Sequence, residues 1–216
     1  MKAKASNILS ADEADAARQS NSGETIGFED VSLVERTRSG DMQAYGLLVA
    51  KYQDRVFNTA CRMLGQREDA EEVAQEAFLK ALEKISQFRN QSRFYTWLFR
   101  IAVNLIISRR RRGARIRFQS LTAADELGLT QAAGLKARKS GQSPQAAAVK
   151  AETMQRVAQA LEELDDEMRL VIVLRDMEEM DYSQIADVLA VPAGTVKSRI
   201  HRARTALKDK LADLVK

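Results

Sequence analysis

Residues 181–211 read DYSQIADVLAVPAGTVKSRIHRARTALKDKL, and this stretch decides the fold. Asp181 can accept from the amide of Gln184 while the Gln184 side chain reaches back, a capping box that opens a helix. That helix carries Ile185, Ala186 and Leu189 on one side. It stops near Val191, because Pro192 disfavours helical backbone for the residue before it. A second helix starts at Pro192 or Ala193. Helix, short turn, helix is the arrangement with which many proteins lay their second helix in the major groove of DNA. Ala186 is small where the two helices would cross closely, and Val196 is apolar where the second would pack back on the first.

The facing arithmetic divides the second helix. At about 100° per residue, Val196, Ile200, Ala203 and Leu207 fall in a band about 60° wide, which is the buried face. Lys197, His201 and Arg204 lie roughly opposite, flanked by Ser198, Arg202 and Thr205. From Val188 to Lys208 there is no acidic residue, whereas Lys197, Arg199, Arg202, Arg204 and Lys208 are basic. An outward face without anions suits a groove lined with phosphates. A solvated basic face is the plainer alternative.

Upstream, Met154, Val157, Leu161 and Leu164 form one apolar face, and Met168, Val171, Ile172 and Leu174 another. Residues 149–216 therefore read as one helical domain. Residues 114–148 follow Gly113 and hold Gly128, Gly134, Gly141 and Pro144 among Ser, Thr, Gln and Ala. They read as a flexible linker with room for a helical turn near Leu121–Leu127. Residues 29–113 return to helical period. Tyr45, Leu48, Val49, Tyr52, Val56, Phe57, Ala60, Met63 and Leu64 predict one helix ended by Gly65. Val73, Ala77, Phe78, Ala81, Leu82 and Ile85 predict a second, and a third runs from about Arg93 to Arg112. The expected fold is all-α: a helical bundle and a helix-turn-helix domain joined by the linker. Residues 1–28 carry few large apolar side chains and read as a flexible tail or a short isolated helix.

Composition removes several classes of function. The 216 residues carry a formal net charge of +4 and a single cysteine, Cys61, and a single histidine, His201. No disulfide framework, cysteine-cluster zinc site or multi-histidine metal site can be built from these. No apolar run approaches a membrane span, and the N-terminus lacks the apolar core of a secretory signal. The expectation is a cytoplasmic protein with no membrane insertion, no metal and no cofactor.

Two further charge patterns stand out. Phe88, Phe94, Tyr95, Trp97 and Phe99 crowd into residues 88–100, and no acid occurs between Phe94 and Ala124. On the wheel, Phe94, Leu98, Ile101 and Leu105 make the expected buried stripe. Arg100, Asn104 and Arg111 lie on a separate stripe, with Trp97 between the two. Aromatics beside a basic face can stack unpaired bases while arginines hold phosphates. Trp97 and Phe99 read more readily as core than as base-stacking residues, and Arg109–Arg112 read also as a helix end whose charge suits the macrodipole. The opposite sign appears at Glu68, Asp69, Glu71, Glu72 and Glu76. Acids there favour a helix N-terminus, yet Glu72, Gln75 and Glu76 also share an outward face that would repel DNA and suit a basic protein partner.

Three segments, DAEEVAQEAFLKAL (69–82), FRNQSRFYTWLFRIAVN (88–104) and GTVKSRIHRAR (194–204), together resemble the bacterial RNA polymerase sigma factors of the extracytoplasmic-function (ECF) group of the sigma-70 family. Their order and spacing agree as well. The resemblance implies that 29–113 is sigma region 2 and 149–216 is sigma region 4. It implies binding to core RNA polymerase, at the β′ clamp coiled-coil through Asp69, Glu72, Gln75 and Glu76, and at the β flap. Promoter DNA would be met in both melted and double-stranded form. For the minus-ten element it implies Phe94, Tyr95, Trp97, Arg100 and Asn104 near a flipped base, with Arg109, Arg110, Arg111 and Arg112 on strand phosphates. For the minus-thirty-five element it implies Thr195, Lys197, Ser198, His201, Arg202 and Arg204. An anti-sigma factor is a further partner that the resemblance allows. Met180 stands where relatives often carry a glycine before the capping residue, and His201 where they often carry an aromatic.

The implied function is promoter recognition and melting in transcription initiation, without enzymatic activity. Two competitors remain. A stand-alone helix-turn-helix regulator leaves the 69–76 face and the 88–99 cluster without a purpose. A nucleic-acid enzyme needs a nucleophile or metal carboxylates, and no site assembles around Ser92 or Tyr95 in the sequence.

Overall fold

Asp41 opens the longest helix of the first bundle by accepting from the amides of Gln43 and Ala44. Arg36 bonds the same carboxylate at 2.7 Å, which holds Asp41 below the usual carboxylate range. The structure is a computed structural model and describes residues 29–89, 92–121, 152–153 and 156–212. The predicted tail 1–28 and most of the predicted linker lie outside those residues. Helix α1 covers 29–38, α2 Met42–Leu64 and α3 Arg67–Glu83; a short 3-10 turn, Ile85–Gln87, leads to α4, Phe94–Leu121. Gly65 ends α2 in the left-handed region at φ 74°, the conformation glycine adopts without cost. Asp30, buried at the start of α1, accepts from the Tyr52 hydroxyl and from Lys51 at 2.6 Å, and so ties α1 to α2.

The second group begins with α5 at 156–162. Arg169 is buried beneath it and donates to the carbonyls of Leu161 at 2.7 Å, Leu164 at 3.3 Å and Glu162. The Leu161 carbonyl also accepts from the Leu164 amide at 3.1 Å, so Arg169 adds a second donor at the end of α5, where helical partners run out. Burial lowers the Arg169 pKa, yet the guanidinium stays charged, because its carbonyl acceptors replace lost water. Helix α6, Asp166–Ile172, continues into a π-helical turn, Val173–Met177. Helices α7, Tyr182–Leu189, and α8, Ala193–Lys210, form the helix-turn-helix, with both halves of the predicted capping box in place. The left-handed residue before that cap is Glu179, φ 57°, rather than Met180, whose side chain is fully buried.

Two predictions meet a different outcome, and both concern α4. The helix does not end at Arg112 but runs on to Leu121, since Gly113 costs only about 1 kcal/mol inside an otherwise helical run. Its buried face is also wider than the predicted stripe. Phe94 and Leu98 are buried, but Ile101 and Leu105 are only half-buried, while Phe99, Ala102, Val103 and Ile106 are interior. The reason is non-local. Helix α4 packs on α2 and α3 with one side and on α7 with the other. Leu170, Val171, Leu174, Met180, Ile185 and Val188 thereby belong to one apolar core with Val56, Leu98, Phe99 and Val103. A smaller core of Leu161, Leu164, Ile172 and Ala203 holds α5 against α6 and α8. Among the described residues there is no strand.

Candidate nucleic-acid and polymerase interface

Helix α8 is positioned by Val196, Ile200 and Ala203, all buried as the wheel predicts, with Leu207 half-buried below them. Lys197, Ser198, His201, Arg202 and Arg204 are exposed on the other side, and Thr195 is half-buried at the helix start. The face is less uniformly cationic than its composition. Arg199 turns aside to Glu167 at 2.6 Å, and Arg204 reaches Asp176 at 2.6 Å. Among the described residues, Lys197 and Arg202 form no ion pair.

Helix α4 sorts its predicted site residues into three sets. Arg100, Asn104, Arg111 and Arg112 are exposed. Trp97 is half-buried and packs on Phe88, centroids 5.1 Å apart, and on Phe94 at 5.8 Å. Phe94 is buried, as its place on the predicted stripe requires, and Tyr95 is buried beside it: Phe94 packs on Trp97, and Tyr95 lies under Arg55 with its hydroxyl on Glu178. Burial raises the Tyr95 pKa far above the ordinary tyrosine range. Of the basic run, Arg109 bonds Asp69 at 2.9 Å and also Glu72, while Arg110 bonds Asp166 at 2.5 Å and the Met63 carbonyl. The bond to Glu72, with Asp69 beside it, raises the Arg109 pKa. A predicted phosphate contact and two predicted polymerase contacts thus hold each other.

Helix α3 presents Glu72, Gln75 and Glu76 to solvent, with Asp69 half-buried. Beside them lies a groove between α2 and α3, a cavity of about 640 Å³ lined by Tyr45, Val49, Phe57, Phe78 and Leu79 among others. The sequence reading missed this groove. Its signal was Leu79, which sits seven residues, or two turns, from Glu72 and is 62% exposed, an apolar side chain on a polar stripe.

A helix-turn-helix with an outward basic face, beside a second helix bearing its own basic stripe, marks a DNA-binding protein. Comparison with known proteins carries this to a family. Sigma-70 region 2 matches residues 48–116, and Sigma-70, region 4 matches residues 154–207. The RNA polymerase sigma-H factor of Pseudomonas aeruginosa is 39% identical over 189 residues, 87% of this chain and 96% of that protein. The ECF RNA polymerase sigma factor SigW of Bacillus subtilis is 38% identical over 181 residues, 84% of this chain and 96% of that protein. The solved structure of CnrH in complex with the cytosolic domain of CnrY superposes with a TM-score of 0.60 at 27% identity, covering 86% of this chain and 98% of that one. The chain belongs to the ECF group of the sigma-70 family of RNA polymerase sigma factors. It acts as a sigma factor, and a stand-alone regulator is not favoured. Among the described residues no helix is long and apolar enough to cross a membrane.

Proposed function

We propose that residues 29–113 and 149–216 divide the work of initiation as the charge of their faces dictates. The single observation behind this reading is that α3 carries an exposed acidic face beside an apolar groove, while α4 and α8 carry exposed cations. Glu72, Gln75 and Glu76, with Leu79 at the groove edge, dock on the basic β′ clamp coiled-coil of core polymerase. Trp97, Arg100 and Asn104 face the melted minus-ten strand, with Arg111 and Arg112 on its phosphates. Phe94 acts as the platform under Trp97. Unstacking a base costs a few kcal/mol, which stacking of about 1–3 kcal/mol per base and the phosphate contacts offset. Lys197, Ser198, His201 and Arg202 face the minus-thirty-five duplex, where phosphate contacts set register and base edges set sequence. The protein is no enzyme by itself, works in the cytoplasm, and has an anti-sigma factor as a further partner; CnrH, which it resembles, is solved in complex with the cytosolic domain of CnrY.

The test is reconstitution. Purified protein added to core polymerase should yield run-off transcripts from discrete promoters on a genomic fragment library, with none from core alone. Failure to retain core in a pull-down would refute the assignment of α3.

A further inference from the structure

Helix α1 carries none of the contacts proposed above, yet both of its ends reach the aromatic seat of Trp97. Arg38 closes α1. Its Nε donates to the Ile85 carbonyl, 47 residues away in the chain, at 3.0 Å. The same carbonyl accepts from the Phe88 amide at 3.3 Å, so one oxygen joins α1 to the backbone of Phe88. The Arg38 guanidinium lies over the Phe88 ring, 5.9 Å from its centroid. Phe88 is only 4% exposed, and its ring meets Trp97 at 5.1 Å and Phe94 edge-on at 5.9 Å. Near the start of α1, buried Asp30 accepts from the Tyr52 hydroxyl, and the Tyr52 ring lies 6.0 Å from Phe94. The two rings on which Trp97 rests are thus each tied to one end of α1.

Phe88 needs such a tie. It follows a single 3-10 turn, Ile85–Gln87, whose hydrogen bonds are poorer than those of an α-helix, whereas Trp97 belongs to α4. The seat therefore spans two elements, and neither fixes the other by its own hydrogen bonds. Trp97 is half-buried, so part of the indole stays available to a base. A recognition group of this kind must be held within about 0.5 Å and 10–20° of its working geometry by the side chains behind it. Arg38 contributes in two ways: a cation over the Phe88 ring and a bond to the turn that carries that ring.

We propose that Arg38 is a positioning residue for base capture: through the Ile85 carbonyl and the Phe88 ring it fixes the orientation in which Trp97 meets an unpaired base, without touching the nucleic acid itself. The inference rests on the minus-ten reading of Trp97. Two consequences separate a positioning arginine from one that holds a phosphate. A phosphate contact to a single strand contributes about 0.7 to the slope of log affinity against log salt, and a positioning arginine contributes nothing to it. The effect of a positioning arginine also vanishes once Trp97 is gone, because the two act as one unit.

The test uses the full chain, a fluorescein-labelled pool of random single strands about 12 nucleotides long, and the emission of Trp97, the one tryptophan of the sequence. A random pool serves because every base has a stacking face. Arg38→Met keeps the apolar stem and removes the charged head. It should weaken binding of the pool about fivefold, the lower edge of what one stacked base contributes, with the salt slope unchanged. Trp97 emission should shift to the red and become more open to acrylamide quenching, while helicity by circular dichroism stays the same. In a Trp97→Ala background, Arg38→Met should cost nothing further. Additive losses in that cycle, a slope flatter by about 0.7, or an emission that does not move overturns the positioning role. Where Arg38→Met loses helicity, Arg38→Lys, which keeps a donor for the Ile85 carbonyl, is read in its place, with a smaller loss and the same coupling to Trp97. If Trp97→Ala alone leaves binding of the pool unchanged, the minus-ten reading of Trp97 fails instead, and the emission still decides whether Arg38 positions it.

Discussion

Lys197 and Arg199 stand two residues apart on one helix, and the structure predicts that only the first touches DNA. Lys197 is exposed and has no ion pair among the described residues, whereas Arg199 is folded against Glu167 and its side chain is 18% exposed. A cation that neutralises one phosphate contributes about 0.9 to the slope of log affinity against log salt. Replacing Lys197 by Ala should therefore flatten that slope by about 0.9 if the contact is to phosphate. Between 50 and 200 mM salt the unmodified protein would then lose roughly 3.5-fold more affinity than the variant. If Lys197 instead meets a base edge, affinity falls by about 1–3 kcal/mol at one promoter position. Arg199→Ala should leave the slope unchanged and cost up to about 1 kcal/mol of folding stability, from a screened ion pair and some lost packing. The assay is fluorescence anisotropy of holoenzyme on a minus-thirty-five duplex across a salt series. Equal slope changes for the two variants, or a change for Arg199→Ala alone, would refute the facing of α8.

Further outcomes follow from other features. Asn104→Ala should reduce permanganate reactivity of the promoter bubble while core binding in a pull-down stays intact, since Asn104 is exposed on the α4 stripe away from α3. Glu179→Gly should stabilise the protein by about 0.5–1 kcal/mol, because a side chain in the left-handed region costs about 1–2 kcal/mol and glycine returns part of that as backbone entropy; a calorimetric midpoint raised by roughly 2–4 °C checks this, and a lowered one contradicts it. Alkali should weaken the fold. Burial raises Tyr45 to about 12 and pushes Tyr52 and Tyr95 higher still. These groups hold their protons more tightly when folded, so their contribution is complete below pH 10 and is lost as pH rises from 10 toward 12 and beyond. Urea midpoints at pH 8, 10 and 11 should fall in that order, and a flat series would count against the buried phenols.

Local signals in the sequence were read with little loss. Gly65 closes α2, the Asp181–Gln184 box opens α7, and Val196, Ile200 and Ala203 line α8, because each depends on neighbours within one or two turns. What escaped depends on residues far apart in the chain. Phe99 is interior as its core reading expects, but Val103 and Ile106 lie outside the predicted stripe of α4, since no wheel reveals that α7 covers a second side. Glu178 sits in an acidic pair that any reading from sequence alone places at the surface; only Arg55, Thr59 and Tyr95, from 83 to 123 residues away, make its burial tolerable. The left-handed backbone of Glu179, next to the buried Met180, carries no glycine to mark it in the sequence.

The triangle of Arg109 with Asp69 and Glu72 has a thermodynamic consequence for the proposed roles. One guanidinium serves two carboxylates, so a polymerase arginine that claims Glu72 frees part of Arg109 for a strand phosphate. Reciprocity then requires that a phosphate on Arg109 improve the hold of polymerase on Glu72 by the same factor. Enzyme and template would cooperate through a single shared side chain, and neither would need to move the backbone to do so.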